Sequence, residues 1–131
     1  MIPVEWLEEA QKRIKEIAKQ TPMTYDETLG VFIKWENQQL TGSFKIRGAA
    51  NKILSLQGWE KENGVITCSA GNHGQGCALV SHKLAIDCDV YASSHAVPMK
   101  IKAMKDLGAK VHLVEGDYSA AEKMAMRQAE L

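Results

Sequence analysis

The sequence predicts an α/β protein, an open, twisted parallel sheet with flanking helices. Three observations carry that expectation. From residue 65 onward, short apolar runs alternate with helical stretches, the rhythm of strand–helix–strand units joined by right-handed crossovers. Glycine and proline punctuate the changes of rhythm, at Gly64, Pro98 and Gly108. Composition is that of an ordinary globular domain, with 45% hydrophobic and 24% charged residues among 131. A chain of this size buries about two thirds of its unfolded surface.

The elements follow in order. Pro3 suits a first helical turn, and Val4, Leu7, Gln11, Ile14 and Ala18 fall at helical spacing, so this face is expected to turn inward. Thr21-Pro22 stops that helix, because a residue before proline is pushed out of the α region. Met23 to Tyr25 is predicted as a short strand, Asp26 to Gly30 as a turn, Val31 to Glu36 as a strand and Asn37 to Gly42 as loop. Ser43 is the expected N-cap of a helix reaching Leu56, with Ala49, Ile53 and Leu56 inside. Gly58 and Asn63-Gly64 break the chain, and Gln57 to Gly64 is the one credible boundary, dividing residues 1–57 from 58–131.

Beyond it come a strand at Val65 to Cys68, a helix at Asn72 to Leu84 and a strand at Asp87 to Ala92. A helix opened by Pro98 runs to Leu107 and is closed by Gly108, followed by a strand at Lys110 to Val114. The final helix is predicted from Ser119 to Leu131 with no cap after it, which reads as a cut end.

Charge and cysteine content narrow the function. Sixteen basic residues balance sixteen acidic ones, so no global field draws in nucleic acid or an anionic membrane. No apolar run approaches the ~20 residues of a membrane span, and Met1 to Trp6 has no signal-peptide pattern. Cys68, Cys77 and Cys88 are odd in number without a Cys-x-x-Cys pair, and read as reduced, mostly buried thiols in a cytoplasmic protein. His73, His82, His95 and His112 lack metal-ligand spacing.

Two stretches carry chemistry. Thr41-Gly42-Ser43-Phe44-Lys45-Ile46-Arg47-Gly48-Ala49 puts a lysine at a helix start, where the dipole and unpaired N–H groups favour a neutral, nucleophilic amine. Phe44 is placed to shield that amine from water. Arg47 either adds positive charge there or pairs with an acidic neighbour such as Glu36, and the reading favours the pair. Ser69-Ala70-Gly71-Asn72-His73-Gly74-Gln75-Gly76 joins a strand to a helix, at the strand end where open α/β sheets bind ligands. Its glycines permit close backbone approach, and a helix N-terminus favours an anion such as a carboxylate. The spacing matches neither a dinucleotide fingerprint nor a P-loop. Taken singly, each feature has a plain structural alternative: a solvated lysine, a helix-start Asn72, a satisfied His73, and core thiols at Cys68 and Cys77.

Together the two stretches, at this separation, resemble the threonine dehydratase and serine racemase family of fold-type II pyridoxal phosphate enzymes. Thr21-Pro22, Lys34-Trp35-Glu36-Asn37 and Gly108-Ala109-Lys110-Val111 resemble it as well. The resemblance implies that residues 1–57 begin the large cofactor domain and that residues 58–131 form most of the small domain. It implies that Lys45 holds pyridoxal 5'-phosphate as a Schiff base and later moves protons. Phe44 would pack beside the cofactor ring, and Asn72 would hydrogen-bond the ring's 3′-oxygen. Ser69, Gly71, Asn72 and His73 would line the substrate carboxylate site. Racemases of the serine type tend to carry serine after the position of Ser69, and dehydratases alanine. Ala70 therefore points to α,β-elimination of L-threonine or L-serine to a 2-oxo acid and ammonia. Two departures from the pattern stand out. Ala92-Ser93-Ser94-His95 replaces the family's Met-Pro-type turn, and none of the ten glycines forms its tetraglycine-type phosphate loop. Half of a cofactor site is the expectation, with little or no turnover by these residues alone. The competing expectation is a non-catalytic domain that binds an anion or a partner chain. Either way an uncovered face would favour a homo-oligomer, with a dimer expected.

Overall fold

The computed structural model describes residues 2–130. Its elements are α1 (Val4–Ile14), β1 (Met23–Asp26), β2 (Val31–Lys34), α2 (Lys45–Ser55), α3 (Gly58–Glu62), β3 (Val65–Cys68), α4 (Asn72–Leu84), β4 (Cys88–Ser93), α5 (Pro98–Asp106), β5 (Lys110–Val114) and α6 (Tyr118–Ala129). The α/β expectation holds. β3, β4 and β5 form a parallel sheet in that order, with Val65 opposite Cys88 and Asp89 opposite Lys110. β1 and β2 form a separate antiparallel hairpin, Met23 opposite Lys34, turned at Gly30 in the left-handed region (φ 66°).

Alternation along β4 sorts the layers. Cys88, Val90 and Ala92 point into one core with Val80 and Ala78 of α4, Ile101 and Met104 of α5, and Ile46, Ala49 and Ile53 of α2. α6 covers the other face of β3 and β4 through Ala121 and Ala125, both buried. Asp117 caps α6, its side chain accepting from the Ala120 N–H at 3.0 Å, two residues before the start expected at Ser119. Leu131, where the sequence predicted that helix to end, lies outside the described residues.

Three readings are corrected. The inward face expected of α1 is buried only at Ile14, with Ala18 just beyond the helix, while Val4 and Leu7 are more than half exposed. Helical periodicity shows which face is apolar, and among the described residues no element covers its first two turns. Glu36, expected at a strand end, lies in a short 3-10 helix, Glu36–Gln38. Residues 58–62, read as a break, form α3, held by a capping box in which the Gln57 N–H donates to the Glu60 carboxylate at 2.7 Å.

Ser43 acts at the start of α2, although Phe44 occupies the cap position. The Ser43 side chain is buried and its Oγ accepts from the Lys45 N–H at 3.2 Å. A second anchor fixes this helix from below. Arg47 donates to both Glu36 oxygens, at 2.8 and 2.7 Å, and to the Lys19 carbonyl at 3.2 Å. Thr21 Oγ1 and Gln39 Nε2 donate to the same carboxylate, and Gln39 also clamps the Lys19 backbone at both its N–H and its carbonyl. The pairing expected of Arg47 and Glu36 is therefore present. The Arg47 guanidinium holds the Glu36 carboxyl down at about 2, against a partial cost of burial.

Candidate functional site

The two chemical stretches lie side by side because α2 and α4 pack at Gly76. A Cβ there would sit 3.3 Å from Ala49 Cβ and 3.4 Å from Ile46 N and Cα, so only a bare backbone lets the first turn of α2 come this close. Lys45, the first residue of that turn, is exposed and forms no ion pair or side-chain hydrogen bond among the described residues. Its Nζ lies 5.1 Å from the centroid of the Phe44 ring, itself 59% exposed. The aromatic face is thus beside the amine and open to a flat ligand.

On the facing side, Ser69 directly follows β3 and is buried. Its Oγ accepts from the Gly71 N–H at 3.2 Å and the Gly74 N–H at 2.9 Å, so it folds the loop and caps α4. Both of those bonds use its lone pairs, which leaves the hydroxyl proton as the one group it can offer a ligand. Gly74 is held from behind: a Cβ would stand 2.4 Å from the sulfur of buried Met104 and 3.1 Å from Ser69 Cβ. With these groups occupied, the N–H groups of Ala70, Asn72 and His73 have no protein acceptor among the described residues. Such an array, at the positive end of a helix, is suited to a carboxylate. The Asn72 side-chain amide is exposed and unpaired among the described residues.

The His73 side chain has a neighbour along α4. Its Nε2 lies 3.5 Å from Cys77 Sγ, one turn along α4, so its backbone N–H and not its ring is offered at the loop. Burial, and secondarily the positive charge of Lys45, push the imidazole below its ordinary range. That electrostatic effect ties the lysine to the loop across the α2–α4 contact. Cys77 and Cys88 are pushed up by burial, to about 12 and about 11, so these thiols are inert core groups. Cys68 is also raised by burial.

Two residues at this site were not singled out from the sequence. Met104 was hidden because its contact with Gly74 depends on how α5 crosses α4. Lys100 lies in the first turn of α5, with its stem and amine over Gly71; its Cδ and Nζ are both 3.5 Å from where a Cβ would stand. A lysine two residues after Pro98 signals nothing alone.

The residues present suit part of a pyridoxal phosphate site. They supply an unpaired amine for the aldehyde carbon, an aromatic face beside it, a free side-chain amide and an anion-binding loop. Comparison with known proteins agrees. Residues 14–131 match the family model described as pyridoxal-phosphate dependent enzyme. An L-threonine ammonia-lyase of Thermotoga maritima is 38% identical over 97% of this chain, and an L-threonine dehydratase of Staphylococcus aureus is 45% identical over 82% of it. In both cases the chain spans about a third, 33%, of the length of the curated relative it matches. Among solved structures, maize serine racemase superposes with a TM-score of 0.91 at 28% identity, covering 97% of this chain and 40% of that one. Threonine deaminase isoform 2 from Solanum lycopersicum gives 0.90 at 31% identity, covering 97% of this chain and 39% of that one. By motif, by fold and by sequence match, the chain belongs to the pyridoxal-phosphate-dependent enzymes.

Proposed function

We propose that this chain forms the lysine-bearing part of an ammonia-lyase acting on L-threonine or L-serine, with α,β-elimination to a 2-oxo acid and ammonia. The observation that supports the reading is the close packing at Gly76 of α2, which begins at Lys45, on α4, which follows the Ser69–His73 loop with its free N–H groups. Pyridoxal phosphate, when bound, supplies the electron sink that makes the substrate Cα–H acidic. Lys45 would hold the aldehyde carbon until the substrate amine displaces it, and the freed amine would then take the proton from the substrate Cα. Phe44 covers the ring beside it and excludes water, and the Asn72 amide orients the ring through its 3′-oxygen. The N–H groups of Asn72 and His73, with the Ser69 hydroxyl, hold the substrate carboxylate, and Gly71 leaves room for it. Ala70 places no proton donor on the opposite face, which favours elimination over racemisation.

In this reading residues 1–57 belong to the large cofactor domain and residues 58–131 to the small one, the protein works in the reducing cytoplasm, and it is a homo-oligomer, with a dimer favoured. Three free thiols support the compartment. No helix among the described residues is long and apolar enough to cross a membrane. The exposed aromatic pair Tyr25 and Phe32, 5.0 Å apart on an otherwise uncovered hairpin, supports association with a second surface. The same pair favours the second reading, a non-catalytic domain that docks a partner chain.

One experiment separates the two. The protein is mixed with pyridoxal phosphate, its visible absorbance recorded, and the adduct reduced with borohydride and mapped. Labelling of Lys45, lost in Lys45→Ala, is the expected result. Label scattered over surface lysines overturns the catalytic assignment and leaves the docking domain.

A further inference from the structure

We infer that Lys100 is a positioning residue for the substrate carboxylate, supplying from α5 the counter-charge that the loop itself lacks. The inference rests on reading the Ser69–His73 loop as the carboxylate site and adds to it a residue from a third element. The loop can offer backbone N–H groups, one hydroxyl proton and the end of a helix dipole, but no full positive charge. Lys100 lies over the one loop residue without a side chain. Its amine is 3.5 Å from the place a Cβ on Gly71 would take, so it meets bare backbone at the mouth.

The lysine is held there by its helix. Pro98 opens α5, and the Lys100 N–H donates to the Val97 carbonyl at 2.9 Å, while Ile101 and Met104 bury the other side of the helix against the core. Two other lysines of this region are paired, Lys102 with Asp106 at 2.6 Å and Lys110 with Asp87 at 3.2 Å. Lys100 has no carboxylate within ion-pair distance and no side-chain hydrogen bond among the described residues. An unpaired ammonium on a flexible stem, beside three unpaired N–H groups, forms a charge-assisted bond once an anion arrives. Gly71 then has a second purpose. A side chain there would stand between the amine and the ligand.

The test uses backbone amide shifts of the protein as it stands. L-threonine is titrated while the N–H signals of Ala70, Asn72 and His73 are followed, with L-threoninamide as the probe lacking a carboxylate. The wild-type protein is expected to respond to threonine and not to the amide, with an affinity that falls as salt is added. Lys100→Met and Lys100→Gln should weaken threonine binding about three- to tenfold and flatten its salt dependence. Lys100→Arg should restore most of both, and Lys102→Met should change neither. Lys100 is exposed, so unchanged thermal unfolding of each variant confirms that the fold is intact. If the wild type responds and the Lys100 variants bind equally well with the same salt dependence, the role assigned to Lys100 is wrong. If the wild type gives no carboxylate-dependent response, the loop reading itself falls, and the assignment of Lys100 falls with it.

Discussion

The tightest contact behind the loop makes a quantitative test of how the site is built. In Gly74→Ala the new Cβ arrives 2.4 Å from Met104 Sδ, 3.1 Å from Ser69 Cβ and 3.3 Å from Ser69 Oγ. Carbon and sulfur rest at no less than about 3.5 Å, so the sulfur or α4 must move by about 1 Å. Met104 is fully buried among core residues and has no solvent to swing into. Overpacking of this kind costs about 1–3 kcal/mol. Alanine recovers less than about 1 kcal/mol of helix preference in a first turn. The net loss is therefore about 1–2 kcal/mol, or a fall of roughly 4–7 °C in Tm for a domain of this size. Urea unfolding followed by circular dichroism reads it as a lower midpoint at unchanged slope. Met104→Ala alone should cost about 2–5 kcal/mol through its cavity, and the double variant at least about 1 kcal/mol less than the sum. A neutral Gly74→Ala, or additivity within about 0.5 kcal/mol, would refute the claim that this glycine exists to seat Met104.

Two further outcomes test the electrostatics. Glu36→Gln should destabilise the fold by about 1–2 kcal/mol, allowing for the partial exposure of its Arg47 partner. Since the native carboxyl is held at about 2 against an ordinary 4.5, the wild type should have this contribution in full above pH 4.5 and lose it as pH falls toward 2. That acid slope should be smaller in the variant, as measured by urea midpoints across the pH range. The His73 imidazole should titrate below 6.5 by NMR, making its stability contribution complete above that pH and lost as pH falls below it. Lys45→Met should move the titration part of the way back up, with burial retaining the remainder; an unmoved titration would mean that the lysine does not face α4.

What was legible in the sequence was local. Asn72 to Leu84 was bounded correctly because a glycine-rich entry and an apolar face announce it, and the left-handed Ala85 closes it. Arg47 and Glu36 could be paired because the candidate partners near the lysine helix were few. α3 was within reach as well, since Gln57 and Glu60 stand at capping-box spacing, but glycine and asparagine on either side read more loudly as breaks. The exposure of Val4 and Leu7 could not be read, because periodicity carries no information about whether a covering element exists. At the site, the lysine, the serine and the glycines were visible as motif residues. Met104 and Lys100 were not, because each acts through the crossing of α5 over α4, which no short pattern encodes.

The contact at Gly76 also has a mechanical consequence. A Cβ on Gly76 would stand 3.4 Å from Ile46 N and Cα and 3.3 Å from Ala49 Cβ, so a side chain there would push the first turn of α2 away from α4 by a few tenths of an ångström. In the proposed reading, Gly76 is therefore the residue that keeps the Lys45 helix and the carboxylate loop in register, and a side chain there would pry the two parts of the site apart.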